Sequence, residues 1–424
     1  MSVVFSSPRD TAQEHLFREH NLPVRRRKGL IWQAVFYAAT SIAIITLVTL
    51  VLSIVDGAFG YVAVQNQIEV EELVGPGRTL DSASKQELIA MLNEHLSRGL
   101  VRRFDFEAPL MERSNQDLIK LVMREVVKPQ VLGSWNLVPS LFQKDLILQE
   151  AAQRYPGADI VFRSWLTLDF IGASQSSIPE LAGIRTAIMG SLLVIMITIL
   201  VAFPIGVGAA IYLEEFASDS RLNRIIQVNI YNLSGVPSII YGLLGLAVFV
   251  RGLEPLTSGA LFGFGAGQTA NGRTVLSAGL TLALLVLPII IINAQEAIRA
   301  VPQSLRDSSY GLGATKWQTV WHHVLPASID RILTGTILSI SRALGETAPI
   351  VVVGASTFIS VDPNSIFSKF TTLPIQVYQW TARPQGAFRN IAAAAILVLL
   401  VLLLTLNASA IIMRNRISKK RRQA

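Results

Sequence analysis

The sequence predicts an all-α, polytopic membrane protein with six transmembrane helices and a helix-rich extracytoplasmic insertion between the first and the second. Of its 424 residues, 51% are hydrophobic and only 16% are charged, well below the roughly 25% of charged residues in soluble domains. The mean hydropathy is +0.47. Several apolar runs reach the length of about 20 residues that a helix needs to cross a bilayer, and a long polar stretch follows the first of them.

The composition also excludes several kinds of function. The net charge is +8, but the cytoplasmic loops of membrane proteins carry excess Lys and Arg, and no basic patch is interleaved with aromatic residues. We therefore expect no nucleic-acid partner. The chain contains no cysteine, which excludes disulfides, thiolate chemistry and Cys-based metal sites. No catalytic residue and no metal site are predicted anywhere in the chain.

The beginning of the chain predicts a membrane anchor followed by a separate domain. Residues 1–30 are hydrophilic and end in a basic cluster, which predicts a cytoplasmic N-terminus. The apolar run 31–55 is longer than the roughly 7–15 residues of a signal-peptide core, so we expect it to be retained as the first transmembrane helix. Residues 56–179, the insertion domain, have the hydropathy of a soluble domain. Ser84 and Glu87 form a capping box at the start of a helical pattern.

Two further helical patterns in the insertion domain begin after Ser114 and at Lys144. No nucleophile, metal cluster or phosphate loop accompanies them, so we expect the domain to have a structural or docking role. We place it on the extracytoplasmic side, because long loops cross the membrane regardless of their charge.

The core of the protein is predicted to be residues 180–413, with five more transmembrane helices, and a basic cytoplasmic tail follows at 414–424. The five apolar runs cover residues 184–211, 225–250, 275–293, 329–353 and 391–413. Pro237 lies in the middle of the third span, where it is expected to kink the helix; both a packing kink and a bend beside a solute path fit. Six spans place both basic termini in the cytoplasm, which predicts a multi-pass protein of the inner (plasma) membrane.

A polar loop, residues 296–327, connects the fourth and fifth spans on the expected cytoplasmic side. Pro302 and Gly313 enclose a short helical stretch at 303–312, and a second one, 315–324, leads into the fifth span. The sequence contains no Walker A motif, so we do not expect this chain to hydrolyse ATP by that route.

The fifth span carries two full charges. Arg342 lies about 20 Å along a helix that starts at Ile329, so it is expected near the middle of the bilayer, where a charge is costly unless it faces a cavity or a partner. Gly335, Ser339, Arg342 and Glu346 recur at i, i+4, i+7 and i+11 and therefore share one helix face.

Two interpretations of this face remain open. In the first, Arg342 and Glu346 form a buried ion pair that serves only helix packing. In the second, Arg342 is a transient anion site in a translocation path, because a guanidinium can hold two oxygens of a tetrahedral oxyanion, and Glu346 orients it. Pro349 leaves the carbonyl of Gly345 without its usual donor. The candidate pathway residues are Arg342, Glu346, Ser339 and Thr347, and the candidate helix kinks are Pro237 and Pro349.

Three motifs carry a resemblance to a known family. The loop has an acid and two small residues at 307–309, then Gly313, then an apolar residue with Leu-Pro at 324–326; this resembles the coupling loop of ABC importer permeases, where Glu-Ala-Ala is usual. Residues 342–349 (RALGETAP) and 235–243 (GVPSIIYGL) are similar to the phosphate importer permeases. Sulfate and molybdate permeases share the Arg-x-x-Gly-Glu core but continue differently. The resemblance extends from about residue 184 to the C-terminus.

The resemblance implies the fold of an ABC importer permease and the role of the A-type permease subunit of a phosphate importer. It implies a second related permease subunit, two ATP-binding cassette ATPase subunits, an extracytoplasmic phosphate-binding protein, phosphate and membrane lipid as partners. ATP would bind the partner ATPases and no cofactor would bind this chain, which would not itself be an enzyme. The residues expected in the ATPase-coupling loop are Arg306, Asp307, Ser308, Ser309, Gly313, Ala314, Lys316 and Trp317.

Three alternatives stay open. The chain could be a permease for another tetrahedral oxyanion, sulfate or molybdate. It could be a membrane receptor with an extracytoplasmic domain, although its inner segments are all short. It could be a secondary transporter, for which internal inverted repeats are expected and none is visible.

Overall fold

The computed structural model describes residues 22–107, 109–263, 271–355, 358–359 and 361–422. The hydrophilic residues 1–21 and the last two residues of the basic tail lie outside this range. Three strands are present: β1 Phe59–Gln65, β2 Gln130–Ser134 and β3 Asp159–Ser164. The helices before and within the insertion domain are α1 Leu22–Ala58, α2 Val70–Val74, α3 Lys85–His95, α4 Arg98–Glu107, α5 Asn115–Val122, α6 Leu137–Phe142, α7 Lys144–Arg154 and α8 Leu168–Gly172.

The rest of the chain is helical. Its helices are α9 Arg185–Ile211, α10 Arg221–Ser234, α11 Ser238–Gly245, α12 Glu254–Thr257, α13 Val275–Arg299, α14 Gln303–Gly311, α15 Lys316–Thr319, α16 Leu325–Gly345, α17 Ala348–Val353, α18 Leu373–Thr381 and α19 Gly386–Arg422. Wider π-helical turns extend α5, α9, α11 and α15 at Met123–Val127, Tyr212–Phe216, Leu246–Gly252 and Val320–Val324. The fold is therefore mainly helical, as the sequence predicts.

Five helical stretches in the described part of the chain are long and apolar enough to cross a membrane. They are Arg25–Ala58, Arg185–Phe216, Val275–Arg299, Lys316–Gly345 and Gly386–Arg416. The predicted third span is broken: Arg221–Ser234 and Ser238–Gly252 pass the same test only as a pair and meet at 107°. The pair fits either a broken span or a re-entrant loop. The described residues thus provide five spans, or six if the bent pair is one.

The chain divides into two compact units, Met1–Ile54 and Val55–Ala424. Within the described part of the first unit, α1 is apolar on all sides rather than along one stripe, which is typical of a helix surrounded by lipid. It begins at Leu22, earlier than the predicted span 31–55, so the basic cluster continues the helix.

The insertion domain combines a small sheet with a helical core. The sheet is antiparallel, with β1 between β2 and β3. The predicted helices are present as α3, α5 and α7, and the capping box at the start of α3 is formed, with the Ser84 amide donating to Glu87 at 2.7 Å. Leu88, Leu118 and Val122 are completely buried in the core between α3 and α5. The strands were not predicted, because β1 continues the apolar run of α1 without a turn.

The membrane-spanning part is centred on α9, α13 and α16. Glycines allow close approach: a Cβ on Gly206 of α9 would lie 2.7 Å from Ile290 of α13, and one on Gly335 of α16 would lie 2.6 Å from the Cβ of Asn293. Because glycine has no side chain, the backbone of one helix lies directly against a side chain of the next at both positions. Small residues permit such close packing of membrane helices.

The fifth span differs from its predicted bounds of 329–353. Its helix starts at Lys316, runs through the π-helical turn and ends at Gly345, and α17 follows after Glu346 and Thr347. Pro349 explains the break, because it has no N–H to donate to the carbonyl of Gly345. The last helix also differs: it continues to Arg422, so most of the predicted basic tail is helical.

Candidate functional site

The two charges of the fifth span form the predicted ion pair at the end of α16. Arg342 Nε donates to Glu346 Oε1 at 3.3 Å. The Arg342 side chain is 55% exposed and that of Glu346 is 17% exposed. Within the described part of the chain, the two Nη groups of Arg342 make no hydrogen bond. The guanidinium thus lies on the surface of this chain, held on one side only.

The other residues of the predicted polar face lie deeper. Ser339 is 2% exposed and donates to the carbonyl of Gly335 at 2.9 Å, and Gly335 packs against Asn293 of α13. Thr347 is half-buried at the break between α16 and α17. The predicted common face is therefore divided between a buried part, against α13, and an exposed edge that carries Arg342.

The structure brings together two of the motifs that the sequence analysis singled out. Gly242 of α11 lies against Pro349 of α17, where an added Cβ would be 2.7 Å from the proline Cα. Tyr241 is buried, and its hydroxyl donates to the carbonyl of Leu233 at 2.7 Å. In a continuous helix the Leu233 carbonyl would accept from the N–H of Pro237, which does not exist. The tyrosine hydroxyl thus supplies a donor to the broken end of α10.

The loop 296–327 forms the predicted helix–turn–helix. Gly313 has a φ of +85°, a left-handed conformation that favours glycine. Thr315 caps α15 together with Gln318 in a capping box, and the hydroxyls of Ser309 and Thr319 are 2.9 Å apart and buried between the two helices. The short predicted helix at 303–312 ends one residue earlier, at Gly311.

A pair of glutamates at the end of the second span anchors this loop. Arg306 Nε and Nη2 donate to Glu215 Oε1 at 3.2 and 2.7 Å, and the same guanidinium donates to the carbonyls of Val301 and Ile298 at 2.7 and 3.1 Å. The Arg306 and Glu215 side chains are only 11% and 5% exposed. Four of the five guanidinium N–H groups thus have acceptors, and the buried pair has a structural role.

The neighbouring pair joins the same two regions at the surface. Arg299 Nη2 and Nε donate to Glu214 at 2.6 and 3.2 Å, a two-bond contact. We call Glu214, Glu215, Arg299 and Arg306 the glutamate clamp. No role was predicted for the two acids from the sequence. Two adjacent acids directly after an apolar span, with arginines in a later loop, are the one sequence signal that points to it.

The clamp separates the predicted coupling residues into two groups. Arg306 and Ser309 are buried and hold the loop together, and Ala314 is half-buried. The exposed members are Asp307, Ser308, Gly313, Lys316 and Trp317. Beside them Leu312 is 91% exposed, and the rings of Trp317 and Trp321 stack at 5.6 Å. Leu312, Trp317 and Trp321 together expose an apolar and aromatic surface, which is unusual outside a binding site.

The described residues include no group of three or more His, Asp or Glu side chains placed to hold a metal ion. The chemistry that this arrangement can perform is therefore electrostatic: an exposed guanidinium beside one carboxylate, and a rigid loop tied to the spans by four charged side chains.

Comparison with known proteins identifies relatives of the chain. Residues 202–423 match the family model described as "Binding-protein-dependent transport system inner membrane component". A probable ABC transporter permease protein YqgI of Bacillus subtilis is 30% identical over 271 residues, which cover 61% of this chain and 86% of that protein.

Two further relatives carry the name of a phosphate transport system. Permease protein PstA 1 of Mycobacterium tuberculosis is 30% identical over 271 residues, covering 62% of this chain and 82% of the relative. Permease protein PstC of Pasteurella multocida is 33% identical over 238 residues, covering 50% and 71%. The matched family region begins inside α9, after the insertion domain.

Proposed function

The chain belongs to the family of binding-protein-dependent transport system inner membrane components, and we propose that it is the permease subunit of an ATP-driven importer that moves inorganic phosphate into the cytoplasm by alternating access. Its membrane location follows from the family and from the apolar helices. Phosphate as the solute is supported by the names of its PstA and PstC relatives and by the motifs at 235–243 and 342–349.

The observation that carries the proposal is the exposed guanidinium of Arg342 in a membrane-spanning segment. Facing lipid at the centre of a bilayer, a charge costs from about 3 to more than about 10 kcal/mol. The surface around Arg342 therefore faces a water-filled path or another protein subunit. A second, related permease subunit that packs against this surface and encloses the path satisfies both conditions.

The ion pair suits the handling of an oxyanion. Glu346 holds Arg342 through Nε, so the two Nη groups point away from the pair and can bind two oxygens of phosphate. Glu346 also keeps the site from holding the anion too tightly, since a carboxylate beside the anion weakens its binding. A protonated phosphate can donate a hydrogen bond to Glu346, which sulfate cannot do.

The exposed face of the loop 296–327 provides the contact with the ATPase. We propose that Asp307, Ser308, Gly313, Lys316 and Trp317 dock on one of two ATP-binding cassette subunits, and that the glutamate clamp transmits the movement to the second and fourth spans. An extracytoplasmic phosphate-binding protein delivers the solute from the other side. Both termini then lie in the cytoplasm.

Replacement of Arg342 by glutamine tests the proposal. In cells that express the complete importer, Arg342→Gln should abolish uptake of radiolabelled phosphate while the complex still assembles. Arg331→Gln is the matched control, because Arg331 is an exposed arginine of the same helix outside the ion pair, and it should retain uptake. Undiminished phosphate uptake by Arg342→Gln contradicts the proposal, and competition by sulfate equal to that by phosphate contradicts the choice of solute.

A further inference from the structure

The insertion domain contains a large cavity that the transport role does not use. Its volume is about 660 Å³, within the range of roughly 300–1,000 Å³ that ligand pockets have. Side chains of α5, β3 and the segment 179–182 line it, together with Ile391 from the second turn of α19. The cavity therefore opens where the insertion domain meets the last membrane-spanning helix.

Four cationic side chains line this cavity: Arg113, Lys120, Arg124 and Arg163. Lys120 is bound to Asp169 at 2.8 Å at the exposed rim, where both side chains are more than half exposed. Such an exposed ion pair is weak and readily exchanged. Lys120 is therefore a cation that a ligand can recruit at little cost, whereas Arg124 is bound to the less exposed Glu125 at 2.8 Å.

Arg163 differs from Lys120 in its surroundings, because it is partly buried and forms no ion pair among the described residues. Its guanidinium lies 4.6 Å from the ring of Trp165, and its Nη2 donates to the backbone carbonyl of Glu180 at 2.9 Å. Within the described residues, no carboxylate lies at ion-pair distance from it. Burial lowers the pKa of Arg163, because its surroundings disfavour the charge. A partly buried cation without an anionic partner is costly unless something else supplies the anion.

Glu180 attracts Arg163 electrostatically, but among the described residues the two side chains form no ion pair. Glu180 uses its Oε1 to accept the amide of Val131 at 2.8 Å. Burial raises the pKa of Glu180, so its ionised form is itself disfavoured. The carboxylate is thus held towards β2, and Arg163 keeps donors that face the cavity.

The floor of the cavity is apolar. Trp165, Phe170 and Ile391 are almost completely buried there, and Leu121 and Leu181 complete the wall. A small inorganic anion would use the cations but leave this floor uncovered. A ligand that carries both an anionic group and an apolar part would use both.

We propose that this cavity binds a phosphate group, with Arg163 as its central ligand and Lys120 and Arg124 at the rim. The apolar floor and its continuation into α19 favour the head group of a membrane phospholipid as the source of that phosphate. Inorganic phosphate is the other source with the same chemistry. The site is separate from Arg342 and does not depend on the transport role.

The first arm of the test uses phospholipid. The purified full-length importer is stripped of lipid in detergent, phosphatidylglycerol is added back, and retained lipid is measured by native mass spectrometry. Arg163→Gln should reduce retention at least about tenfold, because it removes a charge-assisted contact. Lys120→Gln, at the exposed rim, should reduce it about threefold and cannot act through misfolding of the core. Arg154→Gln is the matched control, since Arg154 is exposed on α7 and does not line the cavity.

The second arm uses radiolabelled inorganic phosphate in equilibrium dialysis. Binding that Arg163→Gln removes and Arg342→Gln leaves intact assigns free phosphate to this cavity. The phosphate proposal is overturned if neither probe depends on Arg163 and Lys120, or if oleate, a carboxylate with an apolar tail, displaces phosphatidylglycerol at equal concentration. None of these outcomes alters the expected effect of Arg342→Gln on uptake.

Discussion

Two arginine–glutamate pairs in this protein have the same chemistry and opposite surroundings. Arg306 and Glu215 are buried and joined by two hydrogen bonds, and two backbone carbonyls accept from two further N–H groups of the guanidinium. Arg342 and Glu346 share a single bond of 3.3 Å, and the arginine is more than half exposed. The first guanidinium has four of its five N–H groups bonded within the protein, whereas the second has one.

Residue type and spacing therefore do not distinguish a structural ion pair from a binding site. Both arginines are next to apolar segments and both face a glutamate. What differs is how many donors the protein itself satisfies, because a guanidinium carries five N–H groups and only those left open can bind a solute. We therefore expect the effect of replacing each arginine on stability to increase with the number of hydrogen bonds that its guanidinium makes within the protein.

The largest effect is expected at the buried pair. Arg306→Gln leaves Glu215 as a buried, unpaired carboxylate, and loss of one partner of such a pair costs about 3–5 kcal/mol. The protein should unfold at a clearly lower temperature in a thermal scan of the purified complex. ATP hydrolysis by the partner ATPases should also become independent of phosphate supply, because the loop is no longer fixed to α9.

Asp307→Asn serves as the control for this variant. Asp307 is exposed on the same helix and accepts a hydrogen bond from the exposed Gln303, so the thermal stability should hardly change. If Arg306→Gln unfolded at the same temperature as the wild type, the glutamate clamp would not stabilise the fold.

A third acidic residue beside an arginine, Glu180 in the insertion domain, gives an intermediate case. Burial raises the pKa of Glu180 above its usual value of 4.5. A carboxyl group with a raised folded-state pKa stabilises the fold below its unfolded pKa, and this contribution is lost as pH rises through the folded pKa. The wild type should therefore lose stability relative to Glu180→Gln as pH increases from about 4.5 towards neutrality.

Glutamine at this position retains an oxygen that can accept from the Val131 amide, so the variant isolates the charge. Thermal scans of both proteins across this pH interval measure the difference. Parallel pH profiles would contradict the raised pKa of Glu180.

The sequence predicted features that depend on neighbouring residues. The capping box of Ser84 and Glu87, the turn at Gly313 and the helix break near Pro349 each follow from local geometry, so reading a few residues is enough. The glutamate clamp was missed because Arg306 and Glu215 are 91 residues apart in the chain, and only the packing of α9 against α13 brings their segments together.

Two other features lay beyond what periodicity can show. Pro237 predicts a kink, but neither the 107° bend nor the donation of the Tyr241 hydroxyl to the carbonyl of Leu233 follows from the proline alone. The strands of the insertion domain are short, and β1 reads as a continuation of the preceding apolar helix. The ion pair of Arg342 was predicted, while its exposure on the chain surface depends on which face α13 covers.

The smallest effect on stability is expected at the exposed pair. Arg342→Gln removes a half-exposed guanidinium that makes one hydrogen bond within the protein. Exposed ion pairs contribute at most about 1 kcal/mol to stability. The free energy of unfolding should thus change by less than about 1 kcal/mol although phosphate uptake is lost. Glu346→Gln removes the negative charge of the pair, while its amide oxygen can still accept from Arg342, and it should be equally mild in a thermal scan of the complex. If either variant destabilised the protein as much as Arg306→Gln, the Arg342–Glu346 pair would also have a structural role. The number of unbonded guanidinium N–H groups would then not distinguish a binding site from a structural ion pair.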